Sequence, residues 1–192
     1  EMIRAHWADI PISVDTFRAS IADLALQHGA DMINDVYGGE ADTCMWNVVK
    51  KHNVPYVLTH SLAIVDSTAG QYDSTLSQTL DYLQDRLSYL YRSGVKDVLV
   101  DPGFGFGKTV EQNYTLLRQL ELFHVLRAPL LVGVSRKSML YKPLQRTPQE
   151  VLPATTAAHM VALQKGANIL RVHDVEAARQ AIKIYELTYQ NK

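Results

Sequence analysis

Nine consecutive residues, Asp101-Pro-Gly-Phe-Gly-Phe-Gly-Lys-Thr109, bring together a carboxylate, three glycines, two aromatic rings and a lysine. They follow the apolar run Val98-Leu99-Val100 and precede a helical pattern that begins near Glu111. A carboxylate at a strand tip, then a glycine-rich turn into a helix, is where α/β proteins place ligand chemistry. Two phosphate loops can be tested against this turn. The Walker pattern needs a glycine five residues before Gly107, where Pro102 stands. The dinucleotide pattern needs a third glycine where Lys108 stands. Both fail. A turn that only needs flexible glycines remains open.

Two more predicted strands end in carboxylates: Asp15 in Ile12-Ser-Val-Asp-Thr16, and Asp35 beside Asn34. Asp at a strand end also serves as a helix N-cap, so each alone is ambiguous. Three on one side of a sheet suit a pocket that accepts paired N–H groups from a guanidine-like or aminopyrimidine ring. Asn34 can both donate and accept. Cations gather at the last strands, in Gly133-Val-Ser-Arg-Lys137 and Arg171-Val-His173. The two-residue spacing puts Arg171 and His173 on one strand face. Arg136, Lys137, Arg171, His173 and Lys108 are candidates to surround an anion, with solvated loop cations as the plain alternative for Arg136. His60 and His173 lack HxH or HExxH spacing, so no dedicated metal site is read from them. Of Phe104 and Phe106, one is expected to stack on a flat ligand and the other to pack. Ring recognition at one end and anion binding at the other suit a heterocycle bearing a phosphate or diphosphate.

These residues need a scaffold. Apolar runs at 10–15, 31–36, 55–60, 97–101, 129–135 and 168–173 are read as strands buried on both faces. Helical patterns at 18–28, 43–51, 72–92, 111–123, 148–165 and 175–189 alternate with them. Gly29, Gly94 and Gly166 close helices, and Asp42 and Asp174 are read as N-caps. The irregular stretch is 61–71. Strict β-α alternation implies a parallel sheet. Polar residues at nearly every strand tip favour a (β/α) barrel over an open sheet, although six units are counted and a barrel has eight.

The 192 residues suffice for one domain spanning 1–192, with 47% hydrophobic and 20% charged residues. A net charge of −1 argues against a broad nucleic-acid or membrane surface. The single cysteine, Cys44, excludes an internal disulfide, fits a cytoplasmic location and is expected to pack in a helix. No apolar run reaches membrane-spanning length, and no signal peptide is read.

In order and spacing, Ile12-Ser-Val-Asp-Thr16, Ile33-Asn-Asp-Val36, Leu58-Thr-His60, the Asp101 turn, Gly133-Val-Ser-Arg-Lys137 and Arg171-Val-His-Asp174 resemble the dihydropteroate synthase family. The resemblance covers essentially the whole chain. It implies a (β/α)8 TIM barrel of which units three to eight, six parallel strands and six helices, are present. It implies condensation of dihydropterin-methyl diphosphate with para-aminobenzoate, with Mg²⁺, and competition by sulfonamides. Carried over by motif, Asp15, Asn34, Asp101 and Lys137 hold the pterin. Arg171 and His173 bind the diphosphate, and Phe106, Gly133, Ser135 and Lys137 line the remaining substrate wall. Lys137, Arg171 and His173 are the expected catalytic residues. Thr59 stands where the family usually has Met. The family's Asn-Val-Thr-Pro-Asp-Ser-Phe motif, whose Asn binds Mg²⁺, and its Gly-Glu-Ser-Thr-Arg-Pro-Gly motif are absent, so no metal ligand is assigned. The chain is therefore expected to be a fragment without turnover of its own, and a homodimer through its late helices. The alternatives are a pterin-binding methyltransferase acting between methyltetrahydrofolate and a corrinoid, disfavoured by Arg171-Val-His173, and a non-catalytic pterin-binding remnant.

Overall fold

The computed structural model describes residues 2–62 and 74–189. Among these, helices and strands follow as α1 (Met2–His6), β1 (Ser13–Asp15), α2 (Ala19–Gln27), β2 (Met32–Asp35), α3 (Met45–His52), β3 (Tyr56–Thr59), α4 (Thr75–Arg92), β4 (Val98–Asp101), α5 (Val110–Arg118), β5 (Leu131–Val132), α6 (Ser138–Tyr141), α7 (Leu152–Gln164), β6 (Ile169–Leu170) and α8 (Val175–Tyr189). A 3₁₀ helix, Leu120–Leu126, follows α5. Residues 63–71 of the expected loop, and 72–73 at the start of the expected helix 72–92, lie outside the described residues.

β1 to β4 pair in parallel in chain order, and β5 pairs in parallel with β6. A parallel bridge between Val100 and Leu130 joins the two sets. Six strands thus stand side by side in sequence order. A doubly wound sheet reverses its order at a switch point, whereas a barrel does not. The row also curls, because Arg171 beyond β6 forms an ion pair with Asp15 on β1.

Parity along the strands sets what each residue meets. Ile33, Tyr56, Leu58, Val98, Val100, Leu130 and Val132 face the helices and belong to the main core. Full burial of one such side chain contributes about 1.5–3 kcal/mol. The alternate residues Val57, Leu99 and Leu131, with Met32 against them, form a small second cluster on the inner face. The central strands β3 and β4 are buried throughout. The outer strands are not: Ser13 and Asp15 are exposed, and Ile169 is 38% exposed.

Helix ends explain several differences from the expected elements. Asp42 does not cap α3. Its carboxylate accepts from Ala19 N–H (2.8 Å) at the start of α2, whose own N-cap, Arg18, offers no side-chain bond, and from Cys44 N–H. Cys44 occupies the N-cap of α3 and is exposed rather than packed. The helix expected over 111–123 gives way to 3₁₀ after Arg118, and that over 148–165 begins only at Leu152. Only two residues each of 129–135 and 168–173 lie in the ladder.

Candidate active site

Asp15, Asn34, Thr59 and Asp101 extend the inner face by the same parity as Val57 and Leu99; Asp15 pairs with Asn34, Asn34 with Val57, and Thr59 with Asp101. The row of polar groups therefore caps the small inner apolar layer at the C-terminal ends of the strands. Asn34 is 4% exposed and donates Nδ2–H to Asp15 Oδ1 at 2.7 Å. Its Oδ1 is buried and has no partner among the described residues. Thr59 Oγ1 is in the same state, beside Asp101 in register. Thr59 drew notice in the sequence only as a substitution; its step of two from Val57 would have placed it here.

Asp101 is 5% exposed, and its Oδ1 accepts from Gly103 N–H at 2.8 Å. Burial pushes its pKa up, while Lys137, the Gly103 bond, Lys108 and Arg171 pull it back. Lys137 donates to Phe104 O, and its ammonium lies 4.6 Å from the Phe106 ring centre. Burial lowers the Lys137 pKa, Asp101 opposing. Phe104 is fully buried and belongs to the core, so Phe106 is the ring at the site. Gly133, Ser135, Lys137, Arg171, Val172 and His173 line a cleft of about 150 Å³. Arg171 and His173 have left the ladder yet still face this one cleft. Ser135 Oγ accepts from His173 N–H (3.2 Å) and lies 3.0 Å from His173 Nδ1. A serine that donates to Nδ1 leaves the ring hydrogen on Nε2. Larger hollows of about 480 Å³ along α8 and about 510 Å³ beside Met2 and Ile21 lie away from the strand tips.

Four residues read as site candidates do other work. Asp35 points to the helix side, where it accepts from Tyr37 N–H, Gly39 N–H and Tyr56 O–H, each at 2.9 Å. Arg136 forks onto Asp174 at 2.6 and 2.8 Å, so the carboxylate read as an N-cap is held in an ion pair. His60 is fully buried, shares a hydrogen bond with Thr79 through Nδ1, and is pushed down to about 3 by burial. Lys108 is 8% exposed and spends its donors on His60 O and Gly103 O rather than on the cleft. The first turn of α5 is closed to anions too. Thr109 Oγ1 accepts from Gln112 N–H, and Gln112 Oε1 from Thr109 N–H. Among the described residues no three His, Cys, Asp or Glu side chains are grouped to hold a metal ion. The sequence motif whose Asn would bind the Mg²⁺ implied by the resemblance is not among these residues.

Inward carboxylates and an amide at the strand tips, with cations from beyond the last strands, define a barrel-type α/β protein with a polar pocket at the C-terminal ends of its strands. The pterin binding enzyme family matches residues 1–173, and the chain belongs to it. A dihydropteroate synthase of Bacillus subtilis is 37% identical over 179 residues, covering 92% of this chain and 61% of the relative. The chain thus spans less than two thirds of that relative's length. The structure of Xanthomonas albilineans dihydropteroate synthase with 4-aminobenzoic acid superposes with a TM-score of 0.91 at 34% identity, covering 100% of this chain and 69% of the other. A Yersinia pestis dihydropteroate synthase in a sulfonamide drug complex superposes at 0.90 with 32% identity, covering 99% and 70%.

Proposed function

We propose that this chain carries the pterin and diphosphate sites of a dihydropteroate synthase. The supporting observation is the inward polar row, in which Asn34 keeps a buried free acceptor and Asp101 a buried carboxylate. Asp15, Asn34 and Asp101 match the donors of an aminopyrimidine edge, and Lys137 supplies a donor to its acceptors. Arg171 and His173 hold the diphosphate in the adjoining cleft. The aniline nitrogen of para-aminobenzoate attacks the methylene carbon, the carbon–oxygen bond to diphosphate breaks, and the electron pair leaves with the diphosphate oxygen. The nitrogen then loses its proton. Fixed cations act where negative charge grows, which favours the transition state over the ground state. Phe106 and the stem of Lys137 form the aminobenzoate wall, where a sulfonamide would compete. Ser135 serves by fixing the His173 ring rather than by touching aminobenzoate.

The six strands correspond in this reading to units three to eight of the barrel, and the protein works in the cytoplasm. No described helix is long and apolar enough to cross a membrane. Ile184, Leu187 and Tyr189 are exposed on α8, which suits a dimer through the late helices. Two family motifs are missing from the sequence, so the 192-residue chain is expected to bind pterin without turning over. Calorimetry with 6-hydroxymethylpterin, followed by a diphosphate-release assay with both substrates, tests both parts. Absence of pterin binding would remove the reading; turnover would remove the expectation of inactivity.

A further inference from the structure

We propose that Lys108 is a positioning residue that holds the Asp101 carboxylate and the Phe106 turn in place. As a statement about ligand binding, this rests on the pterin site proposed above. Its ammonium is buried between two carbonyl oxygens, His60 O at 3.1 Å and Gly103 O at 2.9 Å. Those oxygens follow the tips of neighbouring strands β3 and β4. The two backbones nearly touch, because a Cβ on Gly103 would stand 1.8 Å from His60 O. Two carbonyl dipoles turned toward one point repel unless a donor sits between them, and a cation does so best.

The consequence passes through a single residue. Gly103 accepts from Lys108 through its oxygen and donates to Asp101 Oδ1 through its nitrogen. Its oxygen also accepts from Phe106 N–H at 3.2 Å. Lys108 thus fixes the residue whose N–H orients Asp101 and whose carbonyl starts the turn bearing Phe106. Lys137 grips the same turn from the cleft side, at Phe104 O. Asn113 steadies it from α5, accepting from Gly105 N–H at 2.7 Å. Lys108 also acts through its charge. The charged groups facing Asp101 are Lys137, Lys108 and Arg171, and those facing Lys108 are Asp101 and Lys137. Burial lowers Lys108 to about 7, with Asp101 opposing, so below that value it carries the charge that faces Asp101.

The test uses the full 192-residue chain, with carbonyl-carbon NMR following the Asp101 carboxyl through an acid titration. Lys108→Met removes donor and charge; Lys108→Gln keeps a donor and removes only the charge, and serves if the first does not fold. Lys108→Arg keeps the charge. The Asp101 midpoint is expected to rise in the Met and Gln variants and to stay near the parent value in the Arg variant. The acid limb of 6-hydroxymethylpterin binding is expected to move with it. A lysine that served only stability would lower the melting temperature and leave the midpoint where it was, and that result overturns the proposal. If the parent binds no pterin while the Asp101 midpoint still moves, the pterin reading falls and the hold of Lys108 on Asp101 stands.

Discussion

Substituting Gly103 by alanine probes the tightest glycine site among the described residues. At 1.8 Å from His60 O, the new methyl meets backbone rather than a side chain that can swing aside. To bring that contact out to 3.0 Å, the turn must open by about 1.2 Å. The φ of +73° adds a left-handed penalty for any residue with a Cβ, roughly 1–2 kcal/mol. Overpacking typically costs about 1–3 kcal/mol. Together these give a loss of about 2–5 kcal/mol, a large part of an ordinary domain's stability. The opening also parts the two oxygens that Lys108 bridges and withdraws the N–H from Asp101. Urea unfolding followed by circular dichroism measures the loss, with an unchanged m-value as the check on two-state behaviour. Gly107→Ala is the control: its φ is +70° but the residue is exposed, so it carries the backbone penalty without this clash. A Gly103→Ala loss below about 1 kcal/mol, or one equal to the control, would refute the contact reasoning.

Asp101→Asn removes a charge-assisted acceptor worth about 1.5–3 kcal/mol, so pterin affinity should fall roughly 10- to 150-fold by calorimetry. An unchanged affinity would detach Asp101 from the site. Arg171→Met should weaken binding of the pterin diphosphate far more than binding of 6-hydroxymethylpterin. Its pair with Asp15 is half-exposed, so melting should hardly change. Equal losses for both ligands would place the anion elsewhere. Acid should destabilise the fold through His60. The unfolded chain takes a proton near the ordinary histidine value of 6.5, whereas the folded one resists until about 3. Stability is therefore present above 6.5 and is lost as pH falls from there toward 3. His60→Asn should flatten that slope in melts across the range, and an unchanged slope would assign it to other groups.

The central strands were readable from sequence because Val57, Leu58, Leu99 and Val100 are apolar toward both faces, as a covered parallel strand must be. α8 runs over 175–189 as its pattern indicates. β5 and β6 were read too long, since ladder membership depends on a neighbour that a single segment does not reveal. At the site, residue type alone brought Asp35 and Asn34 forward together. Their difference lies in which face each strand position meets, and Tyr56 O–H is what claims Asp35. Arg136 misled for a similar reason. Its backbone turns at φ +54°, and Asp174, far along the chain, takes the guanidinium. Lys108 looked like a phosphate ligand because sequence shows a lysine after glycines and not the carbonyl it faces.

The alternation at the strand tips has a consequence for how this protein tolerates change. Inward-facing polar groups and scaffold groups are interleaved one residue at a time, as with Asn34 and Asp35, or Thr59 and His60. A saturation library scored once for soluble expression and once for pterin retention should give two profiles that beat out of phase with a period of two. A one-residue deletion within β2 would do worse than any substitution. It would trade the two sets wholesale, turning the ligand's acceptor toward the helices and the scaffold's carboxylate into the cleft.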